Sequence, residues 1–111
     1  PGLTQQGFET QFGCNHVAHF LLFKLLAPML LKTAEHTGKP SRFVALSSAA
    51  AAHIQGASLA DVCYDDLNFE SRKYDRTEAY CQSKLANYLH VMEASKQYDS
   101  TKLICVAVHP G

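Results

Sequence analysis

Short apolar runs and long periodic ones divide this chain. Arg42-Phe43-Val44-Ala45-Leu46, leading into Ser47-Ser48, is mostly apolar and shows no alternation with polar positions. Such a run suits a strand buried on both faces of a parallel sheet. Lys102-Leu103-Ile104-Cys105-Val106-Ala107-Val108 is a second run of this kind, and His109-Pro110-Gly111 closes it as a loop. Between them, residues 78–98 carry Leu85, Tyr88, Leu89 and Met92 at the spacing of one helix face. Asp75 and Thr77 are candidate N-caps, with Glu78 in the first turn. Strand, helix, parallel strand is a βαβ unit, whose crossover is expected to be right-handed.

Upstream, residues 7–37 read as one long helix. Positions 17–31 are apolar nearly all round, interrupted by His19, Lys24 and Pro28. A helix of that kind is usually buried in a larger body or an oligomer. Pro28 removes a backbone bond and predicts a bend near Lys24. No uninterrupted run reaches the roughly 18 apolar residues of a membrane span, so none is expected here.

At 111 residues the chain is one domain's worth at most. Ten basic and ten acidic residues cancel, which removes the electrostatic case for nucleic acid. Cys14, Cys63, Cys81 and Cys105 form no Cys-x-x-Cys pair and read as free thiols of a reducing intracellular compartment. His16 and His19 share a helix face, but no third ligand is spaced to join them, so no metal site is expected. Ser48 with His109 lacks the Gly-x-Ser-x-Gly elbow of a hydrolase.

Tyr80 and Lys84 carry the most specific chemistry. Four residues apart on a helix, they lie on one face one turn apart. A free phenol has a pKa of about 10, and a neighbouring ammonium favours the phenolate. The pair would therefore make a proton donor and acceptor usable near neutrality. In open α/β sheets, ligands bind beyond the carboxyl ends of the strands. Ser47-Ser48, His109-Pro110-Gly111 and the opening turns of the Tyr80 helix all converge on that edge. Asn15, taken alone, is an ordinary polar position near the start of the apolar helix.

Together these residues resemble the short-chain dehydrogenase/reductase family. Leu46-Ser47-Ser48 resembles its serine strand, Tyr80 to Lys84 its Tyr-x-x-x-Lys, and Val108-His109-Pro110-Gly111 its Pro-Gly turn. Phe12-Gly13-Cys14-Asn15-His16-Val17-Ala18-His19-Phe20 resembles its asparagine helix. The wording around Asn15 and Tyr80 is closest to the retinol dehydrogenase and WW-domain oxidoreductase branch. The resemblance implies an α/β fold, a partial Rossmann-like doubly wound parallel sheet. Residues 1–111 would be one partial NAD(P)-binding domain. The glycine-rich phosphate loop and the residue that separates NAD from NADP are not in this sequence, so the chain is expected to be an internal piece of a longer enzyme.

The resemblance also implies roles. Tyr80 would be the general acid/base, and Lys84 would assist it and hold the nicotinamide ribose. Ser48, rather than Ser47, would hydrogen-bond the substrate oxygen. Asn15 would hold a water linking Lys84 to solvent, and Pro110 and Gly111 would line the nicotinamide pocket. The cofactor would be NADP(H) by preference, with NAD(H) as the alternative, and the substrate a small apolar alcohol or carbonyl. The segment 49–77, containing Asp65-Asp66-Leu67-Asn68-Phe69, is expected to shape the substrate pocket, with Asp65-Asp66 a solvated turn. The two long helices are expected to pair in a homodimer, and a membrane anchor of the parent is allowed by the branch. A different class of function stands beside this one: an NADP(H)-binding sensor or scaffold acting through partners.

Overall fold

A computed structural model describes residues 1–52 and 62–111. Helix α1 spans Thr10–Thr37, strand β1 Ser41–Leu46, helix α2 Arg76–Gln97 and strand β2 Leu103–Val108. The strands pair in parallel, Ser41 opposite Leu103 through Leu46 opposite Val108. The expected βαβ unit is therefore present, with both carboxyl ends on one edge. The part of segment 49–77 at positions 53–61 lies outside the described residues.

Helix α1 begins later than the apolar pattern suggests, because Glu9 is its cap: the buried carboxylate accepts from Gln11 N and Phe12 N. Within it, Gly13–Val17 is π-helical, and Ala18 N–H reaches back to Gly13 O. Pro28 sits inside an unbroken helical stretch, where its missing N–H leaves Lys24 O without its α-helical partner, so backbone pairing departs from the α pattern at the π-turn and again at the proline. Gly38 ends the helix in the left-handed region, φ 68°, with its N–H on Ala34 O, a conformation glycine adopts without a Cβ penalty. Helix α2 starts at the expected cap: Asp75 Oδ1 accepts from Glu78 N at 2.9 Å.

The core gathers on one face of the sheet. Phe23 and Ala27 of α1, Ala94 of α2 and Leu103 of β2 are buried together, with Phe43, Tyr98 and Cys105 packed around them. Phe23 stacks on Phe43 with centroids 4.2 Å apart. Both helices therefore cover the same side, and three sequence expectations change. The strands are not buried on both faces in this chain: Val44, Leu46 and Val106 are exposed on the uncovered side. Of the expected stripe on α2, Leu85 is buried but Tyr88 and Met92 are exposed; the buried face is Ala79, Cys81, Gln82, Ser83, Leu85, Ala86, Asn87, Val91 and Ala94. Small and polar side chains let that helix come close to the strand ends and hydrogen-bond there. Helix α1 is also apolar and long enough to cross a membrane by length and composition, 28 residues with mean hydropathy 1.5 over its most apolar window. His19 and Lys24 interrupt the apolar run without lowering that mean enough, which is why counting consecutive apolar residues missed it. Phe20, Leu21, Leu22, Leu25, Leu26 and Met29 of α1 are exposed.

The segment from Val62 to Asp75 is stitched to the start of α1 and α2. Asn68 accepts from Glu9 N and donates to Gly7 O, and Tyr74 OH donates to Glu9 Oε1. Of the pair expected to form a solvated turn, Asp65 is exposed but Asp66 is engaged with its neighbours. It accepts from Glu70 N and from Ser71, and its Oδ2 lies 3.3 Å from Arg72 Nε. Arg72 caps the Phe69 ring at 3.8 Å and reaches Glu78 and Gln82 on α2. This knot fixes where the Tyr80 helix begins.

Candidate active site

Tyr80 occupies the second turn of α2, half-buried beside the buried Ala79, Cys81, Gln82 and Ser83. One turn on, Lys84 Nζ donates to Leu46 O at 3.1 Å. That tether bends Lys84 over the Tyr80 ring, 5.6 Å from its centroid, inside the roughly 6 Å over which an ammonium is drawn to an aromatic face. The sequence pair is thus a spatial pair at the carboxyl end of β1.

The strand ends are fastened to each other and to α2. Ser47 N donates to Val108 O at 2.9 Å, which sets Ser47-Ser48 beside the opening of the His109-Pro110-Gly111 turn. Ser47 Oγ donates to Lys84 O at 2.8 Å, so the first serine of the pair holds the helix in place. Ser48 Oγ accepts from Ala50 N at 3.2 Å, the close of a short turn into Ala49–Ala52. Pro110 and Gly111 stand exposed at this edge, Gly111 with φ 109°. They share the edge with Tyr80 and Lys84 by topology.

Asn15 enters from the π-turn of α1. Its Nδ2 donates to Ser83 Oγ at 3.0 Å, and Ser83 Oγ donates to Tyr80 O at 2.7 Å. Because the π-turn shifts backbone pairing by one residue, the Asn15 carbonyl is available to side chains. It accepts from Asn87 Nδ2 at 3.0 Å and from His19 Nδ1 at 2.8 Å. Between Asn15 O and Lys84 Nζ the structure places Asn87 Nδ2 and Leu46 O. His16 Nδ1 meets Asn87 Oδ1 at 3.1 Å. Since the Asn87 amide nitrogen faces two carbonyls, its oxygen faces His16, which assigns the proton to His16 Nδ1. Burial holds His16 below the ordinary imidazole range, opposed by the Asn87 bond and reinforced by His19. Burial likewise pushes the Cys81 thiol up, so the cysteine beside Tyr80 is a packed thiol and not an activated one.

Of the residues singled out from sequence, the structure brings Tyr80, Lys84, Asn15 and the serine pair to one region. Sequence reasoning gave no place there to Asn87, Ser83 and His16, nor to Ser47 as a fastener. The available signal was polar residues one turn from Tyr80 and Lys84 on the inner helix face, where a buried polar group must find a partner.

Fold and edge define a Rossmann-like α/β segment with a Tyr-x-x-x-Lys helix at the carboxyl ends of its strands. Retinol dehydrogenase 13 of Homo sapiens is 44% identical over 108 residues, 97% of this chain and 29% of its own length. Retinol dehydrogenase 12 of Homo sapiens is also 44% identical, over 97% of this chain and 30% of its own. A chloroplastic short-chain dehydrogenase of Brassica napus, TIC 32 A, is 37% identical over 98% of this chain and 33% of its own. No family model and no solved structure matches the chain. The chain belongs to the short-chain dehydrogenase family, in its retinol dehydrogenase-like branch. It spans about a third of the length of the curated relatives it matches.

Proposed function

We propose that the protein carrying this chain is an NAD(P)(H)-dependent oxidoreductase that interconverts an alcohol and a carbonyl. The observation that carries this reading is the Lys84 ammonium, tethered to Leu46 O and poised over the Tyr80 ring at the carboxyl edge of the sheet. In the direction of reduction, Tyr80 gives its phenolic proton to the substrate oxygen; in oxidation it takes that proton back. Lys84 supports the phenolate with its charge. An ammonium has three N–H donors, and Leu46 O takes one of Lys84's, so the residue fits a nicotinamide ribose by the chemistry of its remaining donors. The nicotinamide, when bound, supplies or accepts the hydride. Ser48 hydrogen-bonds the substrate oxygen, Asn15 braces the helix behind Tyr80 through Ser83, and Pro110 and Gly111 border the nicotinamide ring. NADP(H) is the preferred cofactor, and the substrate is an apolar alcohol or carbonyl of the retinoid kind that two of the relatives are named for. Two copies pair through α1 and α2; a monomer in size-exclusion mass measurement of the full-length protein at high concentration removes that part of the reading.

The test is oxidation of NADPH and of NADH by the full-length protein against a panel of aldehydes and ketones, beside its Tyr80→Phe variant. Turnover in the native protein, lost by orders of magnitude in the variant, is the expected result. Equal turnover in both removes Tyr80 from the chemistry. No turnover in either, with the cofactor bound, turns the reading toward a nucleotide-dependent sensor.

A further inference from the structure

Beyond the Tyr80–Lys84 pair, one amide side chain ties three elements together at the Lys84 anchor. Asn87 is 4% exposed and lies three residues past Lys84, on the same face of α2. Its Nδ2 donates to Leu46 O at 3.0 Å on β1 and to Asn15 O at 3.0 Å in the π-turn of α1. Its Oδ1 accepts from His16 Nδ1 at 3.1 Å. Leu46 O is the same atom that holds Lys84 Nζ. A carbonyl oxygen has two lone pairs, and on Leu46 the two are filled by Lys84 and Asn87, side by side from one helix.

We propose that Asn87, oriented by His16, is a positioning residue: it locks the Leu46 carbonyl to the π-turn of α1 and thereby fixes the point to which the Lys84 ammonium is tethered over Tyr80. This rests on the reading of Tyr80 and Lys84 given above. Asn87 touches neither substrate nor cofactor in this role. It acts on Lys84 through a shared acceptor, and His16 acts on Asn87 by holding the amide in the orientation that presents its donors to the two carbonyls. The arrangement also gives the π-turn a purpose. An uninterrupted α-helix would keep the Asn15 carbonyl for its own backbone, and Asn87 would lose the second of its anchors.

The variant that separates positioning from mere packing is Asn87→Leu in the full-length protein. Leucine is close in volume, and neither carbonyl is orphaned: Leu46 O keeps Lys84, and Asn15 O keeps His19. Two readouts are needed. The first is the rate at which an N-hydroxysuccinimide ester acylates Lys84, read by peptide mass spectrometry against exposed Lys96 of the same helix. The second is kcat and KM for carbonyl reduction, each taken per folded molecule. With Lys84 loosened, its acylation should rise several-fold relative to Lys96. Turnover per folded molecule should fall roughly tenfold to a hundredfold, as expected when a catalytic group is displaced by about an ångström. His16→Phe keeps the ring contacts with Phe12 and Phe20 while deleting the Nδ1 donor. It should shift both readouts in the same direction by less, and it decides the matter if Asn87→Leu does not fold. A lowered Tm with Lys84 acylation and kcat per folded molecule unchanged overturns the proposal while leaving the oxidoreductase reading intact. Faster Lys84 acylation in a protein whose native form reduces no carbonyl supports Asn87 as the holder of Lys84 and defeats the oxidoreductase reading instead.

Discussion

The first part of α2, up to Asn87, buries the polar Gln82, Ser83 and Asn87 among Ala79, Cys81, Leu85 and Ala86, whereas the part beyond Asn87 buries Val91 and Ala94. The first part is held by hydrogen bonds to named atoms: Asn15 Nδ2 to Ser83 Oγ, Asn87 to Leu46 O and Asn15 O, and Ser47 to Lys84 O. The second part is held by an apolar cluster around Phe23 and Leu103. Apolar packing is non-directional and fixes that the helix docks. Hydrogen bonds are directional and fix where its side chains stand. A helix that must place a phenol and an ammonium within reach of one ligand uses direction at the end where the chemistry sits and packing at the other. An unpaired buried polar group costs about 1–3 kcal/mol; Ser83 and Asn87 avoid that cost, while Gln82 Nε2 is buried without a partner.

The contrast breaks most sharply at Tyr80. In the full-length protein, Tyr80→Phe removes one oxygen and should lower kcat by roughly 10²–10⁴, the usual contribution of a positioned acid/base, with Tm essentially unchanged. A Tm that falls in step with activity would mean that Tyr80 serves the fold and not the reaction. Phe23→Ala is the mirror case. Phe23 is 4% exposed and stacks on Phe43; its loss should cost about 3–5 kcal/mol in denaturant unfolding. The surviving folded fraction should turn over at the native rate, and a depressed rate per folded molecule would show that the two ends are coupled.

Asp75→Ala is smaller and local. Its carboxylate satisfies Glu78 N, and deleting an N-cap costs about 1 kcal/mol. Because this cap opens the helix two turns before Lys84, the loss should appear first as faster amide exchange at Glu78 and Ala79. If exchange quickens evenly along α2, the cap holds the whole helix instead of its first turn.

Acidification loads the same comparison without a mutation. His16 and His90 lie below their ordinary values, His16 through burial and then His19, His90 through burial and then His16 and Lys24. Phe20, Phe23 and Phe43 crowd the His90 ring. An imidazole with a lowered folded pKa binds its proton more readily in the unfolded chain. Its stabilising effect is therefore complete above the unfolded value of about 6.5 and is lost as pH falls through the folded value. Tm should decline below pH 6.5, and His16→Phe should flatten part of that decline. A Tm that rises on acidification would reverse the assigned sign.

How much of this was legible in the sequence follows from the same contrast. The Tyr-x-x-x-Lys spacing, the Asp75 cap and the two strand runs were readable because each is local: a periodicity or a cap is written within a few residues. The polar network was not. Asn87 and His16 are 71 residues apart, and nothing near either one says that they meet. The inner face of α2 was misjudged for a related reason. Tyr88 and Met92 share a periodic stripe with the buried Leu85 but are exposed, while small and polar residues such as Ala79, Ser83, Ala86 and Asn87 join Leu85 on the face that docks near the strand end. Asp66 looked like a solvated turn because its partner Arg72 becomes a neighbour only when the segment folds back on itself.

The least sensitive point is at the far end of the sheet. Lys102 Nζ lies 2.7 Å from Glu35 Oε1, joining the start of β2 to the end of α1, and both side chains are well exposed. The bond lowers the Glu35 carboxyl and raises the Lys102 ammonium relative to their ordinary values, so the two directions agree on an attraction. Solvent screens such a pair, and holding two long side chains in one geometry costs entropy that offsets most of the gain. Glu35→Gln should therefore leave both Tm and turnover within error, at low salt and at high salt alike. Lys84 is also a lysine hydrogen-bonded to an oxygen near a strand end, yet its partner is a backbone carbonyl that Asn87 shares. If Glu35→Gln lowers Tm as much as Asp75→Ala, then exposed ion pairing contributes to holding this sheet, and the division of labour along α2 is not confined to buried groups.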